Sequence, residues 1–450
     1  MLHEDVSDQR RSARKAAGRP PRTNGILSVT QAGVAHDSKR GSRSRCTEVA
    51  HRRSHAVHLV AHRQIIDQTP AWPSDRGAAW REQIAARSHA TSRRAMTDSG
   101  LSSTAVTTTH CDPEQRGVDM GLIAIEEHWN HPALTDAVRA LPLDVGDPSI
   151  VLDEMGDNLE RLDDIDARRI DYMDAQGVEM QILSLAPPGA HPLPRESAVR
   201  LSAMANDLAA ESVRRHPTRF RALACLPTAD PAAAVAELER TVAQGFVGAM
   251  VYGRTRGIPF DDRGFDDLCA AAAHLRAPIF IHPQIPPAVV RTASYSGFDE
   301  VTDLGLATFG WGWHLEAAQA ALRLIVAGTF DRHPDLQVIL GHWGELLLFW
   351  RSRIAGLSRV AGLERPMDDY LRSNIHVTCS GMLDPVLLRH VLDVTTPDRL
   401  MFSTDYPFQR PTRDDIAGFL ACFDDPAARE LFVEGNARRL FGISVPPASD

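Results

Sequence analysis

The chain has 450 residues, 43% of them hydrophobic and 24% charged, with a formal net charge of −9. That composition fits a globular protein of one large domain or two to three small ones, with no nucleic-acid partner expected. Its six cysteines form no C-x-x-C pair, no apolar run approaches the roughly 20 residues of a membrane span, and the acidic first residues with no apolar run after them make a secretory signal unexpected, so a cytoplasmic protein with reduced thiols is expected.

Residues 1–119 carry 19 Lys+Arg against 12 Asp+Glu, whereas residues 120–450 carry 30 against 46. The first stretch is rich in Arg, Ser, His, Thr and Ala and shows no sustained period. Such a composition cannot bury enough apolar surface to offset chain entropy. A disordered basic extension is expected there, upstream of a working protein that begins at Met120. His51, His55, His58 and His62 fall at helical spacing, which chance produces in a His- and Arg-rich tract.

From Met120 the texture changes. Short apolar runs occur at 121–128, 179–186, 219–227, 246–252, 278–283, 336–342, 374–380 and 399–406. Amphipathic helical patterns lie between them at 197–215, 231–244, 266–275, 315–330 and 344–357. Eight strands alternating with helices predict a single parallel (β/α)8 TIM-type barrel over 120–450. An open doubly wound sheet is the alternative, but no glycine-rich phosphate fingerprint follows the first run. Two connections are long, 130–160 and 284–312, and in a barrel both would lie over the C-terminal face, where active sites form. The second holds Tyr295, Phe298, Phe309, Trp311 and Trp313, which could line a pocket for a planar substrate or pack a subunit interface.

Four of the runs end in polar groups. The first closes on Glu126, Glu127 and His128, the fifth on His282, the sixth on His342 with Glu345 three residues on, and the eighth on Asp405. Singly, each is also what a satisfied core or cap residue looks like. Together at the C-terminal ends of barrel strands they read as catalytic. On a strand, Glu126 and His128 share one face and Glu127 takes the other. Glu126, His128, His282 and Asp405 make a mixed nitrogen and oxygen set without thiolate, suited to one Zn²⁺ or Mn²⁺ ion. His342 would stand beside the metal as an acid, base or hydrogen-bond donor. Glu345 could orient it, or could simply favour a helix start. His131 follows the first motif closely enough to line the pocket. The only lysines are Lys15 and Lys39, so Schiff-base chemistry and a carbamylated-lysine bridge between two metals are excluded from 120–450.

The sequence resembles the branch of the amidohydrolase superfamily that contains γ-resorcylate, 2,3-dihydroxybenzoate and 5-carboxyvanillate decarboxylases. The resemblance covers about 120–443 and rests on Ala124-Ile-Glu-Glu-His128, Ile281-His-Pro283, Gly328-Thr-Phe-Asp-Arg-His-Pro334, Ile339-Leu-Gly-His-Trp-Gly-Glu345, Phe402-Ser-Thr-Asp-Tyr-Pro-Phe408 and Gly435-Asn-Ala-Arg-Arg-Leu-Phe441. It implies metal ligation by Glu126, His128, His282 and Asp405, with Asp405 as proton carrier and His342 and Glu345 assisting. It implies that Arg353 lies near the substrate at a subunit interface of a homodimer or homotetramer. The expected activity is metal-dependent, non-oxidative decarboxylation of a small hydroxybenzoate-type acid, without an organic cofactor. The alternative is metal-dependent hydrolysis of a lactone, amide or similar carbonyl substrate by the same residues.

Overall fold

The computed structural model describes residues 121–142 and 145–444. The expectations for 1–119 and for Met120 as the start lie outside the described residues. Eight strands form one sheet in sequential order with every neighbouring pair parallel. They are β1 (Leu122–Trp129), β2 (Val178–Leu185), β3 (Phe220–Cys225), β4 (Gly248–Tyr252), β5 (Ile279–His282), β6 (Val338–Leu340), β7 (Ile375–Thr378) and β8 (Leu400–Met401). A helix follows each: α1 (Ala167–Gln176), α2 (Arg195–Arg215), α3 (Pro231–Ala243), α4 (Asp266–Leu275), α5 (Gly312–Val326), α6 (Met367–Ser373), α7 (Pro385–Val394) and α8 (Arg413–Leu420). The sheet curls into the expected TIM-type barrel. Its seam is bridged by backbone bonds from Ile125 N to Phe402 O and from His128 N to Tyr406 O, at 3.1 and 2.7 Å.

The continuous apolar runs follow from burial on both faces. Inward-facing Ile123, Ile125, Met180, Ile182, Leu223, Met250, Phe280, Ile339 and Met401 fill the barrel, joined by Phe441 at the end of the last helix, Asn436–Phe441, and by Ile443 just beyond it. A larger cluster, including Ala124, Leu183, Ala222, Ile281, Leu340 and Val377, packs between strands and helices. The sheet is covered all round, and polar groups reach open space only at its ends.

Several predicted boundaries move. The run at 399–406 is a two-residue strand, after which Ser403, Thr404 and Asp405 leave the sheet. The pattern at 315–330 divides into α5 and a short turn, Thr329–Arg332, at Gly328, which takes a φ of 68°. The pattern at 344–357 is not one helix but three short segments, His342–Glu345, Arg351–Ile354 and Leu357–Ala361. Left-handed backbone at His342, Trp343, Gly344, Glu345 and Leu346 breaks it. Both long connections carry helical turns of their own, Pro132–Arg139, Pro148–Glu154 and Asn158–Leu162 in the first, and Ala288–Ser294 and Glu300–Ala307 in the second.

A candidate metal and catalytic centre at the strand ends

The site begins with an irregularity in β1. Ile123 and Ile125 point into the barrel, so simple alternation would turn Glu127 inward and Glu126 out. Pairing with β2 shifts register between Ile125 and Glu127, and Glu126 sits at a φ of 75°. One extra residue reverses the parity of everything after it. Glu126 and His128 consequently turn toward His282, while the Glu127 carboxylate accepts from Gln181 Nε2 and from Thr404 N and Oγ1. Glu127 therefore ties β1 to β2 and to the segment after β8, a structural role.

Ligating atoms of Glu126, His128 and His282 lie within 4.8 Å of one another. Asp405 Oδ1 adds itself at 3.2 Å from His128 Nε2. Glu126, His128 and His282 are each held from behind. The His282 Nδ1–H donates to Pro283 O at 2.7 Å, which leaves Nε2 unprotonated toward the centre. His128 Nδ1 lies 3.3 Å from Ser184 Oγ. Ser380 Oγ donates to Glu126 Oε2, and Thr378 Oγ1 does so at 3.3 Å. Gly341 is needed here, because a Cβ would fall 2.9 Å from Glu126 Oε1 and from Ser380 Oγ.

These residues fit a cation. Glu126 Oε1 and His128 Nε2 are buried atoms with no hydrogen-bond partner, an arrangement that is costly unless a ligand fills it. Burial pushes the Glu126 carboxyl up to about 8, the His128 imidazole down to about 3 and His282 well below its ordinary value. Two neutral imidazoles are the form that binds a metal, and a cation would return the carboxyl to its ionised state.

A second group adjoins the first. Glu345 accepts from His342 Nδ1 at 2.8 Å and from His314 Nδ1 at 2.7 Å. Burial would raise the Glu345 carboxyl, but the two imidazoles outweigh it and hold it at about 2. Burial also opposes charge on His342, yet Glu345, Glu126 and Asp405 lift it to about 10. This group too could hold a metal by its geometry, but unlike the first it carries none of the buried, unpartnered atoms found among the described residues. His342 Nε2 faces Asp405 Oδ2 at 4.0 Å, and burial raises the Asp405 carboxyl to about 7.

The structure thus brings together Glu126, His128, His282, Asp405, His342 and Glu345. The Trp313 ring meets His282 edge-on at 6.2 Å, and its Nε1 is buried without a partner. Trp311 does not join them and is 46% exposed. His131 stands half-buried at the start of the Pro132–Arg139 helix, with no described contact to the ligand set. Arg353 is exposed, and its guanidinium has no ion-pair partner among the described residues. Sequence reasoning missed Ser184, His314, Thr378 and Ser380. The polar ends of the second and seventh runs were the available signal for Ser184 and Ser380.

Residues 127–443 match the family described as Amidohydrolase. The chain is 35% identical over 342 residues to gamma-resorcylate decarboxylase of Rhizobium radiobacter, covering 72% of this chain and 98% of that protein. Among solved structures, 5-carboxyvanillate decarboxylase from Sphingomonas paucimobilis is similar with a TM-score of 0.66 at 30% identity, over 72% of this chain and 100% of that one. A dihydroxybenzoic acid decarboxylase from Polaromonas sp. JS666, with bound manganese and the inhibitor 2-nitroresorcinol, gives 0.62 at 33% identity, over 72% and 97%.

Proposed function

Because this chain belongs to the amidohydrolase family, we propose that it is a carboxy-lyase, a metal-dependent, non-oxidative decarboxylase of a hydroxybenzoate-type aromatic acid. The observation that carries the reading is the position of Asp405. One oxygen touches the ligand group at His128, and the other faces the His342–Glu345 pair. One carboxylate can thereby serve both as a ligand and as a proton carrier. Relatives matched along nearly their whole length are named decarboxylases of aromatic acids, which favours this reading over hydrolysis.

Glu126, His128, His282 and Asp405 would hold one divalent ion; manganese occupies the Polaromonas relative, and zinc suits the same donors. Such an ion supplies positive charge that orients an anionic aromatic acid and offsets charge developing on its oxygens. Asp405 gives its proton to the ring carbon bearing the carboxylate. The bond from that carbon to the carboxylate breaks, its electron pair returns to the ring and CO₂ leaves. Each turnover consumes one proton, and His342, charged against Glu345, stands beside Asp405 to restore it. Trp313 forms a wall beside His282. Arg353 is exposed, and so, nearby in sequence, are Phe349, Trp350 and Val360, at 67%, 54% and 83%, which supports a homodimer or homotetramer in which Arg353 meets the partner's substrate. The working unit is taken as 120–450, and N-terminal sequencing of the natural product tests that boundary.

The deciding experiment incubates manganese-loaded protein with a panel of hydroxybenzoates and follows CO₂ and the phenol. Turnover is expected for at least one acid and is abolished by Asp405→Asn. Lactone or amide hydrolysis with no decarboxylation would overturn the reading.

A further inference from the structure

We propose that His314, at the start of α5, is a positioning residue that holds the Glu345 carboxylate so that Glu345 can aim His342; the inference rests on the decarboxylase reading above. Glu345 cannot be placed by helix geometry, because it lies in a left-handed stretch with a φ of 53°. Its side chain is fully buried, and its direction is set by two hydrogen bonds, Oε1 from His342 and Oε2 from His314. The His314 ring also meets the His342 ring edge-on at 4.6 Å, so the three groups close into one unit.

The other face of His314 is anchored as well. Its Nε2 lies 2.9 Å from Phe309 O, a backbone carbonyl of the connection before α5. Both ring nitrogens face acceptors, so the ring is held from two sides. Without His314, Glu345 Oε2 would be a buried carboxylate oxygen without a donor, free to turn from the geometry that holds His342 Nε2 toward Asp405. Glu345 is three residues from His342 in sequence, but its second partner comes from a different barrel unit.

The two nitrogens can be tested apart. The amide nitrogen of Asn approximates Nδ1, and that of Gln approximates Nε2. His314→Asn should keep the bond to Glu345, with kcat within about threefold of wild type. His314→Gln should keep only the bond to Phe309 and lose about 10- to 100-fold in kcat, the range typical of residues that orient a catalytic group, with KM and bound metal unchanged. The reverse order would show that the residue merely anchors the loop and would overturn the proposal, as would wild-type kcat in both variants or equal losses in both. A crystal structure of the metal-loaded wild type should retain both contacts of Glu345, and a carboxylate turned away from His314 overturns the inference even if the variants do not fold. Failure of the decarboxylase reading is distinct, since the wild type itself would then release no CO₂.

Discussion

Glu126, His342, Glu345, Ser380 and Asp405 all take positive φ, between 44° and 75°. Outside glycine such backbone costs roughly 1–2 kcal/mol per residue. Its concentration on the candidate site means that surrounding bonds enforce it. The candidate ligands were legible in the sequence because His and Glu at the ends of apolar runs are conspicuous. Ser380 was not, since its partner Glu126 lies 254 residues away and a serine at a strand end has many ordinary uses. Asp153 supports a prediction at the same scale. It is buried beside Asn130, and burial pushes its carboxyl up to about 8. In the unfolded chain it titrates near 4, so across pH 4 to about 8 the folded state keeps a proton that the unfolded state has released. Stability therefore falls as pH rises through that window. Asp153→Asn should be more stable than wild type at pH 8 by roughly 2–4 kcal/mol in denaturant unfolding, and should match it near pH 4. Equal destabilisation at both pH values would refute this.

At the scale of elements, the periodicity of apolar residues located all eight strands because parallel strands covered on both sides must be apolar throughout. It could not reveal the β1 bulge, which changes pairing by one residue and leaves composition untouched. Alternation alone placed Glu126 and His128 on one face, but it could not say that this face was the interior. The break after β6 was equally hidden. The residues at 344–357 have helical spacing, but left-handed backbone from His342 to Leu346 breaks it, and within that stretch His342 and Glu345 are hydrogen-bonded. Arg169 on α1 shows how a helix supports a strand tip. Fully buried, it donates to the carbonyls of His128, Arg161 and Asp164 and to Gln181, and it lies 4.7 Å over the Tyr406 ring. Arg169→Met would leave those acceptors unpaired and is expected to cost about 3–5 kcal/mol by denaturant unfolding. A loss under 1 kcal/mol would show that water replaces the guanidinium.

For the molecule as a whole, the barrel was legible and its surfaces were not. No helix among the described residues is long and apolar enough to cross a membrane. Phe349, Trp350 and Val360 are exposed, and the proposed homo-oligomer would cover them. Trp350→Glu should shift sedimentation toward monomer and reduce kcat if Arg353 acts across the interface. An unchanged assembly would direct the search for the contact elsewhere.

The seam of the barrel carries a mechanical consequence. Glu126 and His128 stand on the first strand and Asp405 just beyond the last, so the proposed ion shared among them would be a clasp joining the two ends of a long loop of chain. A clasp that closes so long a loop restricts the unfolded chain most, provided the ion stays bound to it. If the ion instead dissociates on unfolding, at a thousandfold excess over its dissociation constant it stabilises by about 4 kcal/mol. Chelation should therefore do more than silence the enzyme. Hydrogen exchange ought to quicken first at the amides of Ile125 and His128, which bridge the seam, before the middle strands respond. Uniform loosening around the barrel would show that the seam holds without its clasp.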